Sequence, residues 1–120
     1  MTTTLFVGTI VCILANAFIV VADYANAGFV LKNSAEVNLP SSVLPFLATL
    51  KLAGITGLVV GLTIIPWLGV TAGIGLVLFY TGAIYAHFRA RVFYNIAFPG
   101  MYLALAVVSL AYMVDLAVGS

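Results

Sequence analysis

Charged residues are scarce in this sequence. Four basic and three acidic residues make up 6% of the 120-residue chain, and the formal net charge is +1. Soluble domains carry roughly 25% charged residues. Nucleic-acid binding needs a clustered basic surface that displaces counterions, so that function is excluded. With 65% hydrophobic residues, the composition predicts an integral membrane protein whose surroundings are the lipid bilayer.

Cysteine, histidine and known site motifs are equally scarce. Cys12 is the only cysteine, which excludes an intrachain disulfide, a CxxC redox pair and a thiolate metal site. A single histidine excludes a bis-histidine haem. The chain has no HExxH, no phosphate-binding glycine loop, no GxSxG and no CxxCH motif. The sequence therefore predicts no metal site and no cofactor, and it names no reaction.

Long apolar stretches dominate what is present. A spanning helix needs about 20 apolar residues, and strand-like alternation of apolar and polar residues is absent. We predict an all-α membrane protein, a four-transmembrane-helix up-down bundle forming one integral membrane domain over residues 1–120, with helices at about 4–23, 42–65, 68–87 and 96–117. Residues 24–42 form the one long connection and the most polar part of the chain. Its residues 28–31 could continue the first helix or lie along the interface.

The basic residues of the connections predict the orientation. Lys32 lies in the first connection, and Arg89 and Arg91 lie in the third. Four helices place both connections at one end of the bundle, here called the loop face, and both termini with the second connection at the other, here called the terminal face. The positive-inside rule then predicts a cytoplasmic loop face and termini outside the cell, in the plasma membrane.

Two glycine pairs predict close helix contacts. Gly57 and Gly61 in the second helix, and Gly69 and Gly73 in the third, have the small-xxx-small spacing that lets two backbones approach in a membrane. Contact with a neighbouring helix of the same chain is the favoured interpretation. A homodimer through the second helix is the alternative.

Polar side chains inside the predicted spans are the candidates for function, because each one is costly in lipid and needs a partner or a role. Lys51 lies about eight residues into the second helix, roughly 12 Å from its start. Asp23 ends the first helix on the same side, and His87 lies near the loop end of the third. We predict that Lys51, Asp23 and His87 form the core of the site as candidate catalytic residues.

Three further residues are predicted to complete the pocket. Asn16 lies seven residues before Asp23, and Tyr80 seven before His87, so each pair shares one helix stripe. Arg89 follows His87 by two residues. The alternatives are structural: Asp23 pairs with Lys51 or with Arg89 only to fix helix register, and His87 is an interfacial residue.

Several segments of the chain resemble the DoxX-like membrane proteins. Residues 44–62, with Lys51, Gly54 and Gly57, resemble the second helix of that family, and residues 66–70 and 75–84 also fit its pattern. Residues 82–90, Gly-Ala-Ile-Tyr-Ala-His-Phe-Arg-Ala, resemble its G-A-x-x-x-H-x-R-A ending of the third helix. Residues 97–99, Ala-Phe-Pro, resemble the start of its fourth helix. The resemblance covers roughly residues 40–110.

The resemblance implies a compact four-helix membrane bundle but no single reaction. The wider group includes lipophile-binding and quinone-linked membrane proteins, and some members resemble a subunit of thiosulfate:quinone oxidoreductase. We expect a protein that binds or acts on a membrane-dissolved lipophile such as a quinone, an isoprenoid or a similar lipid. The alternatives are an accessory membrane subunit of a quinone-linked oxidoreductase complex and a purely structural or assembly protein.

Overall fold

The computed structural model describes residues 2–119, and within that range every regular element is helical. The helices are α1 (Thr2–Tyr24), α2 (Gly28–Glu36), α3 (Leu44–Thr63), α4 (Pro66–Ala90) and α5 (Ala97–Gly119), with a 3-10 turn at Ser41–Val43 before α3. Four of them, α1, α3 with its 3-10 turn, α4 and α5, are long and apolar enough to cross a membrane. The predicted fold class is therefore confirmed.

The four long helices form a ring in the order α1, α3, α4, α5, since each packs against the next and α5 packs against α1. Each buries a stripe whose members recur every three or four residues, the spacing of a left-handed helix bundle. On α1 the stripe is Thr9, Cys12, Asn16, Ile19 and Asp23. On α4 it runs through Gly73, Leu76, Tyr80 and His87.

The surface of this bundle is apolar while much of its interior is polar. Large side chains such as Leu14, Phe18 and Leu78 are each more than 60% exposed. Thr9, Asn16 and Ser109 are fully buried. Soluble proteins rarely expose apolar patches of this extent to water, whereas an apolar surface is favourable in contact with lipid chains. An apolar exterior is expected because only 6% of the residues are charged, too few to cover the surface of a soluble domain.

The loop between the first two spans folds back as a separate helix. Asn26 has a positive φ of 53°, a left-handed conformation that asparagine tolerates and that ends α1. The chain then forms α2, which neither continues α1 nor belongs to a span. Only two residues separate the end of α3 at Thr63 from the start of α4 at Pro66, and proline is suited to the first turn of a helix.

The glycine pairs mediate contacts between helices of the same chain: Gly57 and Gly61 of α3 face α4, whereas Gly69 and Gly73 of α4 also face Met113 and Leu110 of α5. A Cβ atom on Gly57 would lie 2.6 Å from the Cβ of Ala72, and one on Gly61 would lie 2.5 Å from the Cα of Gly69. These distances are far below van der Waals contact, so both positions require glycine. The glycines of the second span therefore face a helix of their own chain.

Candidate functional site

A cavity of about 320 Å³ lies at the loop face of the bundle. All five helices contribute to its wall, and α2 covers it. It has space for roughly ten water-sized groups. Most of the lining is apolar, with Phe79, Phe98 and Tyr102 among the aromatic residues. A few polar side chains within an apolar wall are typical of small-molecule sites.

Asp23 and Lys51 form a buried ion pair in the wall of this cavity. The Lys51 Nζ lies 2.6 Å from the Asp23 Oδ2, and the two residues are only 8% and 2% exposed. Lys51 Nζ also lies 5.4 Å from the centre of the Phe79 ring, within range of a cation–π interaction. The carboxylate thus offsets the lysine's cost of burial. The structure brings these two predicted site residues together.

Asn16 and Tyr80 meet just beneath the ion pair. The Tyr80 hydroxyl donates a hydrogen bond to the Asn16 Oδ1, and the Asn16 Nδ2 donates to the Cys12 carbonyl oxygen at 2.8 Å. Tyr80 lines the cavity, but Asn16 does not. Asn16 therefore orients Tyr80 from behind and is not itself part of the wall. Cys12 is fully buried and packs between the helices.

His87 lies in the last turns of α4 and lines the cavity. The helix extends beyond the predicted end at residue 87, to Ala90, and terminates where Arg91 adopts a left-handed φ of 58°. His87 lies on the buried stripe of α4, where it is 3% exposed. Its Nδ1 lies 2.9 Å from the Ala83 carbonyl oxygen. Its Nε2 is buried and has no hydrogen-bond partner among residues 2–119.

Arg89 is the predicted pocket residue that the structure does not bring to the site. It is exposed and is not among the lining residues. Two residues along a helix correspond to a rotation of about 200°. Because His87 faces the interior, Arg89 faces away from it. The expectation that Arg89 lies near the cluster is therefore wrong. Of the two partners considered for Asp23, the structure pairs it with Lys51 and not with Arg89.

The cover of the cavity is held by contacts that the sequence analysis did not find. The Tyr94 hydroxyl donates to the Glu36 Oε1 at 2.5 Å, and the Asn95 Nδ2 donates to the Asn33 Oδ1 at 3.1 Å. These bonds tie α2 to the connection between α4 and α5. The hydrogen bond to Glu36 raises the pKa of the Tyr94 phenol, because the carboxylate accepts the proton that ionisation would remove.

A local signal for this cover exists in the sequence. Asn33 and Glu36 are three residues apart, which is neighbouring spacing on a helix, and their partners Tyr94 and Asn95 are adjacent. The signal depends on recognising residues 28–36 as a helix. Gly28 and Asn33 in this stretch are weak helix formers, so helix propensity does not reveal it.

Metal-binding side chains do not cluster at the site. Within the range 2–119, no group of three or more histidine, cysteine, aspartate or glutamate side chains could hold a metal ion. The side chains of the cavity itself supply the Asp23–Lys51 ion pair, a second lysine and carboxylate at Lys32 and Glu36, three phenols and one imidazole. These groups can orient a polar head group and exchange hydrogen bonds with it.

The fold and the site together define a four-helix integral membrane protein with a largely apolar cavity at one end, whose wall carries a few polar side chains. The chain belongs to the DoxX-like family, whose model matches residues 7–109. The match confirms the resemblance and extends it over most of the first span. No curated protein and no solved structure matches the chain.

Proposed function

We propose that this protein binds a membrane-dissolved lipophile, such as a quinone, an isoprenoid or a similar lipid, in the cavity at the loop face. The observation that carries the proposal is the Asp23–Lys51 pair, 2.6 Å apart, in the wall of a cavity of about 320 Å³. Lys51, Asp23 and His87 contact the polar end of the ligand in this proposal. Tyr80 supports it, and Asn16 orients Tyr80.

The cavity favours this function over a purely structural one. An ion pair that only fixes helix register needs no empty space beside it, and unfilled space in a helix bundle loses packing energy. Here the space adjoins the buried charges, and aromatic rings of α4 and α5 complete the wall. Such a combination of apolar volume and a few oriented polar groups suits a ligand with one polar end.

The family is the second support, and it concerns the class of ligand. The resemblance of the His87 segment and of the Lys51 helix to DoxX-like proteins implies a relation to quinone-linked and lipophile-binding membrane proteins. Membership of the family does not by itself assign a reaction. The proposal is therefore one of binding, with Lys51, Asp23 and His87 as the groups that any chemistry on the ligand would use.

The orientation belongs to the same proposal. Lys32, Arg89 and Arg91 lie at the loop face, so the cavity opens toward the cytoplasm of a plasma-membrane protein if the positive-inside rule holds. A reporter fused to the C-terminus tests this. A reporter that works only outside the cytoplasm should be active at this terminus. Activity of a reporter that works only in the cytoplasm would show that the orientation is the opposite one.

Mass spectrometry of bound small molecules tests the function. The full chain is extracted in mild detergent, and bound molecules are quantified per protein for the wild type and for the double variant Asp23→Asn/Lys51→Met. The double variant removes both charges, so neither is left unpaired. Asp115→Asn is the control, because it removes an exposed carboxylate at the terminal face.

We expect the wild type and Asp115→Asn to retain the same lipophile at a fixed ratio. The double variant should lose it while remaining folded. Equal retention by the double variant would contradict the role of the ion pair. If no molecule is enriched above bulk lipid in the wild type, the binding function is contradicted.

A further inference from the structure

We infer that the cavity's ligand presents a hydroxyl group, that of an alcohol or a phenol, to the Nε2 atom of His87. The inference rests on the proposed function and names the chemical class of its ligand. It begins from two observations on one side chain. His87 is buried in the cavity wall, and one of its two ring nitrogens has no partner within residues 2–119.

The bonded nitrogen determines what the free one can do. Nδ1 lies 2.9 Å from the Ala83 carbonyl oxygen, and a carbonyl oxygen can only accept a hydrogen bond. Nδ1 must therefore carry the proton. In the neutral imidazole, a proton on Nδ1 leaves a lone pair on Nε2. The free nitrogen is then an acceptor, and a complementary ligand supplies a donor.

The charged groups of the wall balance one another. Among the described residues, Asp23 and Glu36 are the carboxylates that line the cavity, and Lys32 and Lys51 are the ammonium groups. Asp23 is paired with Lys51, and Glu36 accepts a hydrogen bond from Tyr94. The Asp23–Lys51 pair is neutral as a whole, so this part of the wall offers no net charge to an ionic head group.

These requirements select one class among the head groups a lipophile can carry. A carbonyl or an ether oxygen would place a lone pair against the lone pair of Nε2. A carboxylate has no proton to donate to Nε2, and an ammonium, which is costly to bury without a counter-charge, would find the Asp23 carboxylate already bonded to Lys51. A neutral hydroxyl group donates to Nε2 and keeps its own oxygen free for a neighbouring donor. The apolar remainder of the wall accommodates the chain.

Nitrogen NMR of the histidine ring tests the inference directly. His87 is the only histidine in the chain, so full-length protein labelled with ¹⁵N-histidine and purified without a histidine tag gives one pair of ring signals. We expect the proton on Nδ1 and an unprotonated Nε2. Geraniol should shift the Nε2 signal toward the value of a hydrogen-bonded acceptor, and geranyl methyl ether, which lacks the donor, should not.

Binding of the same two probes gives the matched measurement. One good hydrogen bond corresponds to roughly three- to tenfold in affinity, so the wild type should bind geraniol more tightly than the ether by about that factor. His87→Gln, which retains an acceptor oxygen, should keep part of the preference. His87→Leu should bind both probes equally. If His87→Leu does not fold, the ring-nitrogen signals of the wild type still test whether Nε2 accepts a hydrogen bond from the hydroxyl group.

Three results would overturn the inference. They are a proton on Nε2, equal affinity for the two probes in the wild type, and a preference for geraniol that survives in His87→Leu. Equal but tight binding leaves the proposed lipophile function intact and rejects only the hydroxyl group. If neither probe binds, the inference fails, and the retention experiment on the ion pair decides the proposed function separately.

Discussion

The two ends of the bundle are built from the same four helices but in opposite ways. At the terminal face the backbones of α3 and α4 touch at Gly61 and Gly69, and the buried Met113 fills the space against Gly69. At the loop face, aromatic and polar side chains hold the helices around a cavity. Close packing is what stabilises helices in lipid. One end therefore provides stability, while the other carries an ion pair and open volume.

The largest test of this contrast is the ion pair. Asp23→Asn alone leaves the buried Lys51 ammonium without its carboxylate, and we expect it to lower the free energy of unfolding by about 3–5 kcal/mol. The double variant Asp23→Asn/Lys51→Met should recover most of that loss, because no charge then remains unpaired. Denaturant unfolding of the purified proteins measures both. A double variant as unstable as the single one would mean that the pair itself, and not the unpaired charge, supports the bundle.

The second test sharpens the role of the terminal face. Gly61→Ala places a Cβ atom 2.5 Å from the Gly69 Cα, a backbone contact that cannot yield without moving a helix. We expect a loss of about 1–3 kcal/mol. Gly82→Ala, in the loop half, is the control, since a Cβ atom there meets nothing within 4 Å and alanine favours a helix. Thermal unfolding of both variants should separate them; similar losses at the two glycines would remove the contrast between the ends.

The smallest expected effect concerns the cover of the cavity. Tyr94→Phe removes an exposed hydrogen bond to Glu36, so the global free energy of unfolding should hardly change. Amide hydrogen exchange in α2 should nevertheless become faster, because one of its two bonds to the α4–α5 connection is lost. Val107→Ala, an exposed position on α5, is the control. Unchanged exchange in α2 would show that Tyr94 does not hold the cover.

The same bond has a predictable pH dependence. The phenol must keep its proton to donate to Glu36, and its pKa is raised by that bond. A raised pKa means that the stabilisation is complete below the unfolded value of about 10 and is lost as the pH rises through the higher folded value. The ratio of exchange rates between Tyr94→Phe and the wild type, taken at equal pH, should therefore fall toward one in strong alkali.

The sequence by itself determined the membrane class, the four spans and the depth of the polar residues. Seven charged side chains leave too little polarity for a soluble surface, and Lys51 cannot lie deep in lipid without a partner. The helix period also predicts that Asn16 and Asp23 share one helix stripe and that Tyr80 and His87 share another. These properties depend on composition and on the period of one helix, so they can be predicted without knowing how the helices pack.

The tertiary structure alone decided how those stripes meet. The rotation of each helix sets which carboxylate reaches Lys51, brings the Tyr80 hydroxyl to Asn16 and turns Arg89 away from the site. The left-handed conformation of Asn26 separates α2 from α1, and that of Arg91 ends α4 at Ala90, one turn past His87. Such contacts join residues far apart in the chain, and their geometry depends on helix rotation and on a few φ angles that no local pattern specifies.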